Sequence, residues 1–202
     1  MTKLLAFTGI PCLLFACAIG CRVNAYGEGP PPGTSNPPEM PPPDESKAIV
    51  TRDLGAVAAD ACDVGPLVAG AGATCKRVAG QAATGSDPTT SANAFDANTC
   101  TTWNGGGEAP RFVAVDFGDS KAVTGVVLVA DMPAAGAVKH VIESSDDGAT
   151  WKIDYVIEGQ MAGSRAYVVP FQTAVTARYL RVTTEKSAGP VAWRDIVPIE
   201  CS

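Results

Sequence analysis

Hydrophobic positions along this chain fall into short runs separated by Gly, Asp and Pro, and no long amphipathic helical pattern follows residue 72. The runs are 111–117, 122–130, 139–143, 151–157, 166–171, 177–184 and 191–199. They are rich in β-branched and aromatic residues, and their spacing predicts an all-β sandwich or barrel. Within 111–116 and 178–182 apolar and polar residues partly alternate, as they do where one face of a sheet meets water. Residues 48–73 carry the pattern Ala56-Val57-Ala58-Ala59-Asp60-Ala61, which fits a short helix or an irregular arm.

The N-terminus follows other rules. Lys3 precedes an apolar run from Leu4 to Ile19, too short and poorly flanked to span a bilayer but suited to the core of a signal peptide. The run ends in Ala18-Ile19-Gly20-Cys21, which resembles a bacterial lipobox. Residues 1–20 are therefore expected to be a lipoprotein signal peptide and Cys21 the acylated first residue. Several acyl chains suffice for stable anchoring. Residues 21–47 continue as a Pro/Gly-rich linker that cannot bury a core and is expected to be a disordered, extended tether. Its Pro- and Gly-dominated part, residues 27–46, is about twenty residues at roughly 3 Å each and would hold a domain on the order of 50 Å from the bilayer. The expected address is the bacterial cell envelope, with the outer membrane or cell surface favoured because Arg22, and not Asp, follows Cys21.

Charge narrows the partners. The chain carries a net charge of −6, and loss of the signal peptide would make it −7. An acidic protein without a basic run is not expected to bind nucleic acid or to hold anionic lipid electrostatically. Its membrane contact would run through the lipid anchor only. Apart from Cys12, Cys17 and Cys21, four cysteines remain, Cys62, Cys75, Cys100 and Cys201. Two disulfides in an oxidising compartment fit an even number. A zinc site lacks CxxC spacing and has a single His to draw on. The pairing is open among three connectivities, and a bridge from Cys201 to Cys62 or Cys75 would clamp the two ends of the domain.

Within Ala94-Phe95-Asp96-Ala97-Asn98-Thr99-Cys100-Thr101-Thr102-Trp103 an acid, an amide and a hydroxyl stand at i, i+2 and i+5. A hard cation such as calcium needs several oxygens at once, and a tight turn supplies them from side chains and carbonyls. The same residues also build ordinary turns. Arg111-Phe112-Val113-Ala114-Val115-Asp116-Phe117-Gly118, Ser144-Ser145-Asp146-Asp147-Gly148-Ala149-Thr150-Trp151, Ala177-Arg178-Tyr179-Leu180-Arg181-Val182 and Trp193-Arg194-Asp195-Ile196 follow in that order. Together these five pieces resemble the discoidin, or coagulation factor 5/8 C-type, domain family, a galactose-binding-like family that includes the family 32 carbohydrate-binding modules. The resemblance covers about residues 74–202. It implies a jelly-roll-like β-sandwich of about eight strands. It also implies a structural calcium held by the Asp96 side chain, the Asn98 carbonyl, the Thr101 hydroxyl and carbonyl, and Asp195, with Glu200 as a weaker ligand. Ala97, Phe117 and Asp195 stand where the family has Gly, Leu and Glu. An Ala where a turn needs positive φ strains that turn.

Sugars are held by an aromatic face and by charge-assisted hydrogen bonds. Trp103 and Trp151 lie in motifs that pack the core in the family, so both are expected to be buried. The loops at 104–110, 131–138 and 186–190 leave Asn104, Glu108, Arg111, His140 and Trp193 as the ligand-binding set. No Gly-x-Ser-x-Gly turn, phosphate loop or His-bearing metal helix is visible, and Asp146 and Asp147 sit in a hairpin turn that accounts for them, so no enzyme is expected. Two function classes stand. One is a membrane-anchored, non-catalytic carbohydrate-binding module for a glycan or polysaccharide. The other is an envelope protein-interaction or structural domain without a sugar ligand. Lipid headgroup binding would want exposed apolar spikes, for which Met132 and Pro133 are the only material.

Overall fold

The computed structural model describes residues 51–132, 135–161 and 163–202. The expected signal peptide, Cys21 and the linker through residue 47 lie outside the described residues, as does Pro133.

All seven apolar runs are strands, but two neighbouring pairs of them are continuous. Runs 111–117 and 122–130 form one strand, β5 (Arg111–Ala130), after the shorter β1 (Arg52–Ala56), β2 (Lys76–Arg77), β3 (Ala82–Gly85) and β4 (Trp103–Asn104). Then come β6 (Gly136–Ser145), β7 (Lys152–Met161), β8 (Arg165–Lys186), which fuses runs 166–171 and 177–184, and β9 (Ala192–Glu200). The pairing is antiparallel throughout, in the order β2-β9-β5-β8-β6-β7, with β1 on β8, β3 on β5 and β4 on β9.

One hydrogen-bonded network thus makes both layers of a jelly-roll-like sandwich. The β5–β8 register breaks between Asp116 and Lys121 and again between Val123 and Gly125. At those breaks the two long strands turn a corner and pass from one layer to the other, as strands do where they switch sheets. The first halves of β5 and the second half of β8 lie with β3, β6 and β7. The remaining halves lie with β1, β2, β4 and β9. Between the layers lies a core of Val113, Val115, Phe117, Leu128, Ile142, Leu180, Val182, Trp103, Trp193 and Ile196.

The described part of the arm, residues 51–73, is not a loose appendage. Beyond β1 they form a single-turn-and-more helix, α1 (Gly65–Ala71), opened by Pro66, which costs nothing at a helix start. Val64, Val68, Leu54, Val57 and Leu67 pack on Val127, Val129, Ala166, Val168 and Val197, the outer face of the β9-containing layer. That layer is therefore buried on both faces, which is why Gly125-Val126-Val127-Leu128-Val129-Ala130 is apolar without alternation.

Two disulfides fasten this arrangement. Cys62 is bonded to Cys100 and Cys75 to Cys201, so the arm is tied to the 96–101 turn and the start of the sandwich to its last strand. The ends are clamped, as one of the connectivities open in the sequence required.

Candidate functional site

Two neighbourhoods hold the chemistry expected from the sequence: the 96–101 turn with Asp195, and the loops at one end of the sandwich.

The turn is built by its own polar side chains. Asp96 Oδ1 accepts the Asn98 N–H at 2.9 Å, and Thr101 Oγ1 lies 2.8 Å from Asp96 Oδ2 and 2.7 Å from the Asn98 carbonyl. Asn98 Oδ1 accepts the Cys100 N–H at 3.1 Å. Ala97 takes φ of 66°, the left-handed conformation for which glycine is the usual choice. Its methyl packs into the apolar cluster beneath the arm, and that burial offsets the backbone cost. Asp195 is 1% exposed, and among the described residues neither carboxylate oxygen is in a full hydrogen bond, the Ile196 and Ala97 N–H groups acting on it only weakly. Burial first, and the Asp96 charge second, push its carboxyl up to about 7, against the opposing pull of Arg77 and of the Ile196 and Ala97 N–H groups.

A buried carboxylate in no full hydrogen bond, facing a second carboxylate, is a costly arrangement that a divalent cation would relieve. The donors are all oxygen, which suits a hard ion. Among the described residues no cluster of three or more His, Cys, Asp or Glu side chains exists, so most ligands to such an ion would be carbonyls. Asp96, Asn98, Thr101 and Asp195 are thus brought to one place. Glu200 is not with them; it pairs with Lys76 at 3.1 Å on the β2–β9 edge.

The loop end is different in kind. Asn104 and Glu108 are exposed on the Gly-rich loop, and Arg111 stands half-buried at its base. The loop is held to the 188–192 segment by Gly105 N–H to the Val191 carbonyl at 2.8 Å and Val191 N–H to the Gly107 carbonyl at 2.9 Å. Gly106 has φ of 79° and Gly107 of 147°, which explains two of the three glycines by conformation alone. Asn104 Oδ1 accepts the Gly106 N–H at 3.0 Å. Arg111 donates from Nη1 to the Pro110 carbonyl at 3.0 Å, while its Nε is buried without a partner.

His140 and Trp193 do not join this set. Both are 0% exposed; their rings meet edge to face at 5.0 Å in the core, and His140 Nδ1 lies 3.0 Å from Thr184 Oγ1. Burial holds the His140 imidazole down at about 4, so it is neutral at physiological pH. Neither side chain presents a surface to a ligand, which corrects the expectation for both. Met132, 3% exposed, is no apolar spike either.

Trp151 is a correction in the opposite direction. Expected in the core, it is half-buried on the open outer face of the β6-containing layer. There the Arg181 guanidinium lies over its ring at 4.1 Å and Tyr179 meets it edge to face at 6.4 Å. Arg181 is held flat by a fork to Glu143 (2.7 and 2.5 Å), to which Thr183 also donates at 2.6 Å. Arg178 makes the same fork to Asp116, holding that carboxyl down at about 2. A shallow cavity of about 240 Å³ opens beside Trp151, Tyr179 and Gly148. Asp147 is fully accounted for by the hairpin turn, where N–H groups of Thr150 and Ala149 and the Ser145 hydroxyl hold it down at about 2. Arg194 was missed altogether: 7% exposed, it donates to the carbonyls of Thr99, Val57 and Ala58.

The F5/8 type C domain profile matches residues 78–197. The chain belongs to that family. Solved structures with the F5/8 type C-like fold include the CpGH89CBM32-6 module of Clostridium perfringens, 18% identical, with TM-score 0.51 over 63% of this chain and 100% of that one. The CBM32 of AlyQ, solved in complex with 4,5-unsaturated mannuronic acid, is 23% identical, with TM-score 0.51 over 61% and 97%. Chitosan-binding module 1 of a Paenibacillus sp. IK-5 chitosanase/glucanase is 22% identical, with TM-score 0.51 over 62% and 98%. At these identities the likeness is one of fold. No curated protein matches the chain. The F5/8 type C match runs from residue 78 to 197, so the arm and three of the four bridging cysteines, Cys62, Cys75 and Cys201, stand outside it.

Proposed function

We propose that this F5/8 type C domain is a non-catalytic carbohydrate-binding module that grips a glycan through the loop end. The observation that carries the reading is Arg111. Its half-exposed guanidinium is fixed by Nη1 to the Pro110 carbonyl at the base of a braced, Gly-rich loop that also carries the exposed Asn104 and Glu108. Planar donors, an amide and a carboxylate arranged around an open loop suit the alternating donors and acceptors of sugar hydroxyls. Two modules of the same fold, named above, were solved with or named for carbohydrate ligands, mannuronic acid and chitosan.

Calcium, in this reading, is structural: bound by Asp96, Asn98, Thr101 and Asp195, it fixes the turn. The lipidated Cys21 and the 21–47 linker would display the domain from the bacterial envelope.

The test is retention of the full chain on a panel of glycans and polysaccharides in calcium. Arg111→Met, which keeps the stem and removes the donors, is expected to weaken binding ~10-fold or more, as loss of a charge-assisted hydrogen bond does. Binding untouched by that substitution moves the site elsewhere. If a folded chain is retained on no glycan, the domain is an envelope interaction partner instead.

A further inference from the structure

We propose that the arm is a working part of the metal turn: residues 57–62, Arg194 and the Cys62–Cys100 bridge form a strap that holds the 96–101 oxygens in place before any cation arrives. This rests on the calcium reading above.

The strap is visible bond by bond. Thr99 lies at the centre of the turn and is 0% exposed. Its N–H donates to the Cys62 carbonyl at 3.1 Å and its hydroxyl to the Ala61 carbonyl. The Thr99 carbonyl accepts from Arg194 Nε, and the other two guanidinium nitrogens donate to the Val57 and Ala58 carbonyls, each at 3.0 Å. Asp63 and Asn98 form an isolated antiparallel bridge, and sulfur joins the neighbours Cys62 and Cys100. Every polar group of Thr99 is therefore engaged by the arm or by Arg194.

This division of labour explains the sequence of the turn. Asp96 Oδ2 and the Asn98 carbonyl converge on the Thr101 hydroxyl, while Thr99 and Cys100 are bonded to the arm. Arg194 sits next to Asp195 on β9, so one strand supplies both a ligand and the residue that positions the opposing turn. A turn already held in its binding conformation loses less conformational freedom on taking a cation, and partners of this outer kind are commonly worth 10–100-fold in metal affinity.

The experiment measures calcium affinity calorimetrically on the full chain, together with hydrogen exchange at the amides of Asn98, Thr99, Cys100 and Thr101 in metal-free protein. Cys62→Ser/Cys100→Ser cuts the strap. Thr99→Val removes only the hydroxyl bond to Ala61 and keeps the shape, so it carries the test if the double variant does not fold. Cys75→Ser/Cys201→Ser breaks the other bridge and serves as control. The strap variants are expected to bind calcium ~10-fold and several-fold more weakly, respectively, and to exchange the turn amides faster. The control, measured where it remains folded, is expected to keep calcium affinity within about twofold of the parent and to speed exchange across the whole domain rather than at the turn amides in particular. Strap variants that match the control in both readouts overturn the proposal. If the parent chain binds no calcium, the calcium reading falls by itself, and the strap stands or falls on amide exchange: faster exchange at the turn amides in particular in the strap variants supports it, unchanged exchange overturns it.

Discussion

The two outer faces of this sandwich are made from the same two strands and meet opposite fates. On the β9 side, β5 and β8 present Val127, Val129, Ala166 and Val168, and the N-terminal arm covers them. On the β6 side the same strands present Phe112, Asp116, Tyr179 and Arg181, which meet solvent through flat guanidinium–aromatic stacks and forked ion pairs. The lesson is that a long strand crossing between layers does not carry one pattern. It alternates where one face is wet and is apolar at every position where both faces are covered.

The comparison can be broken from the covered side first. Cys75→Ser/Cys201→Ser opens a loop spanning 126 residues and is expected to cost about 5 kcal/mol by the chain-entropy relation, read by denaturant unfolding. Placing a charge under the arm with Val129→Asp, at a position 0% exposed, is expected to cost about 4 kcal/mol. The same aspartate at Phe112 on the open face is expected to cost about 1 kcal/mol. Equal losses would show that the open face is also covered in solution.

Between the faces lies His140. An unfolded chain takes a proton near pH 6.5, whereas the buried ring refuses it until about 4. Stability is therefore full above about pH 7 and falls as pH drops through this window, by about 3 kcal/mol in all. Asp195 titrates in the same range with the opposite sign, so the measurement is the difference in pH dependence between the parent and His140→Gln. No difference would place the imidazole in water.

On the open face, Arg181→Met is expected to cost about 2 kcal/mol, between the values for exposed and for buried pairs, because it leaves Glu143, 8% exposed, with the Thr183 hydroxyl but no opposite charge. The smallest effect belongs to the loop end. Glu108→Ala is expected to shift stability by less than about 0.5 kcal/mol while weakening glycan retention, since the side chain is exposed.

Much of this was legible in the sequence. Strand runs, the two-disulfide arithmetic and the oxygen-rich turn follow from residue types in order, whereas the meeting of that turn with Asp195 came only from the family resemblance. Parity along β6 also contained the fate of His140, because it shares a face with Val138 and Ile142, both buried. Giving weight to the nearby loop hid that signal. Trp193 was misread for a related reason: β9 starts at Ala192, directly after the loop, and Trp193 pairs with the buried Trp103 across β4. Trp151 misled in the other sense, since a motif that packs does not have to pack inward. Short β1 to β4 gave no period to read; Ala82-Ala83-Thr84-Gly85 has no apolar alternation at all. Arg194 was invisible because its partners are carbonyls of residues far away in the chain, and carbonyls leave no mark on sequence.

The Cys75–Cys201 bridge also decides how the protein answers to force. A pull applied between residue 51 and residue 202 runs along the arm to Cys75, crosses sulfur to Cys201, and leaves by the next residue. The strands from β2 to β9 are outside that path. Under tension the arm takes the load first, peeling β1 from β8 and pulling on the 96–101 turn through Cys62–Cys100. The strands from β2 to β9 can be drawn out end to end only once the Cys75–Cys201 bridge is reduced.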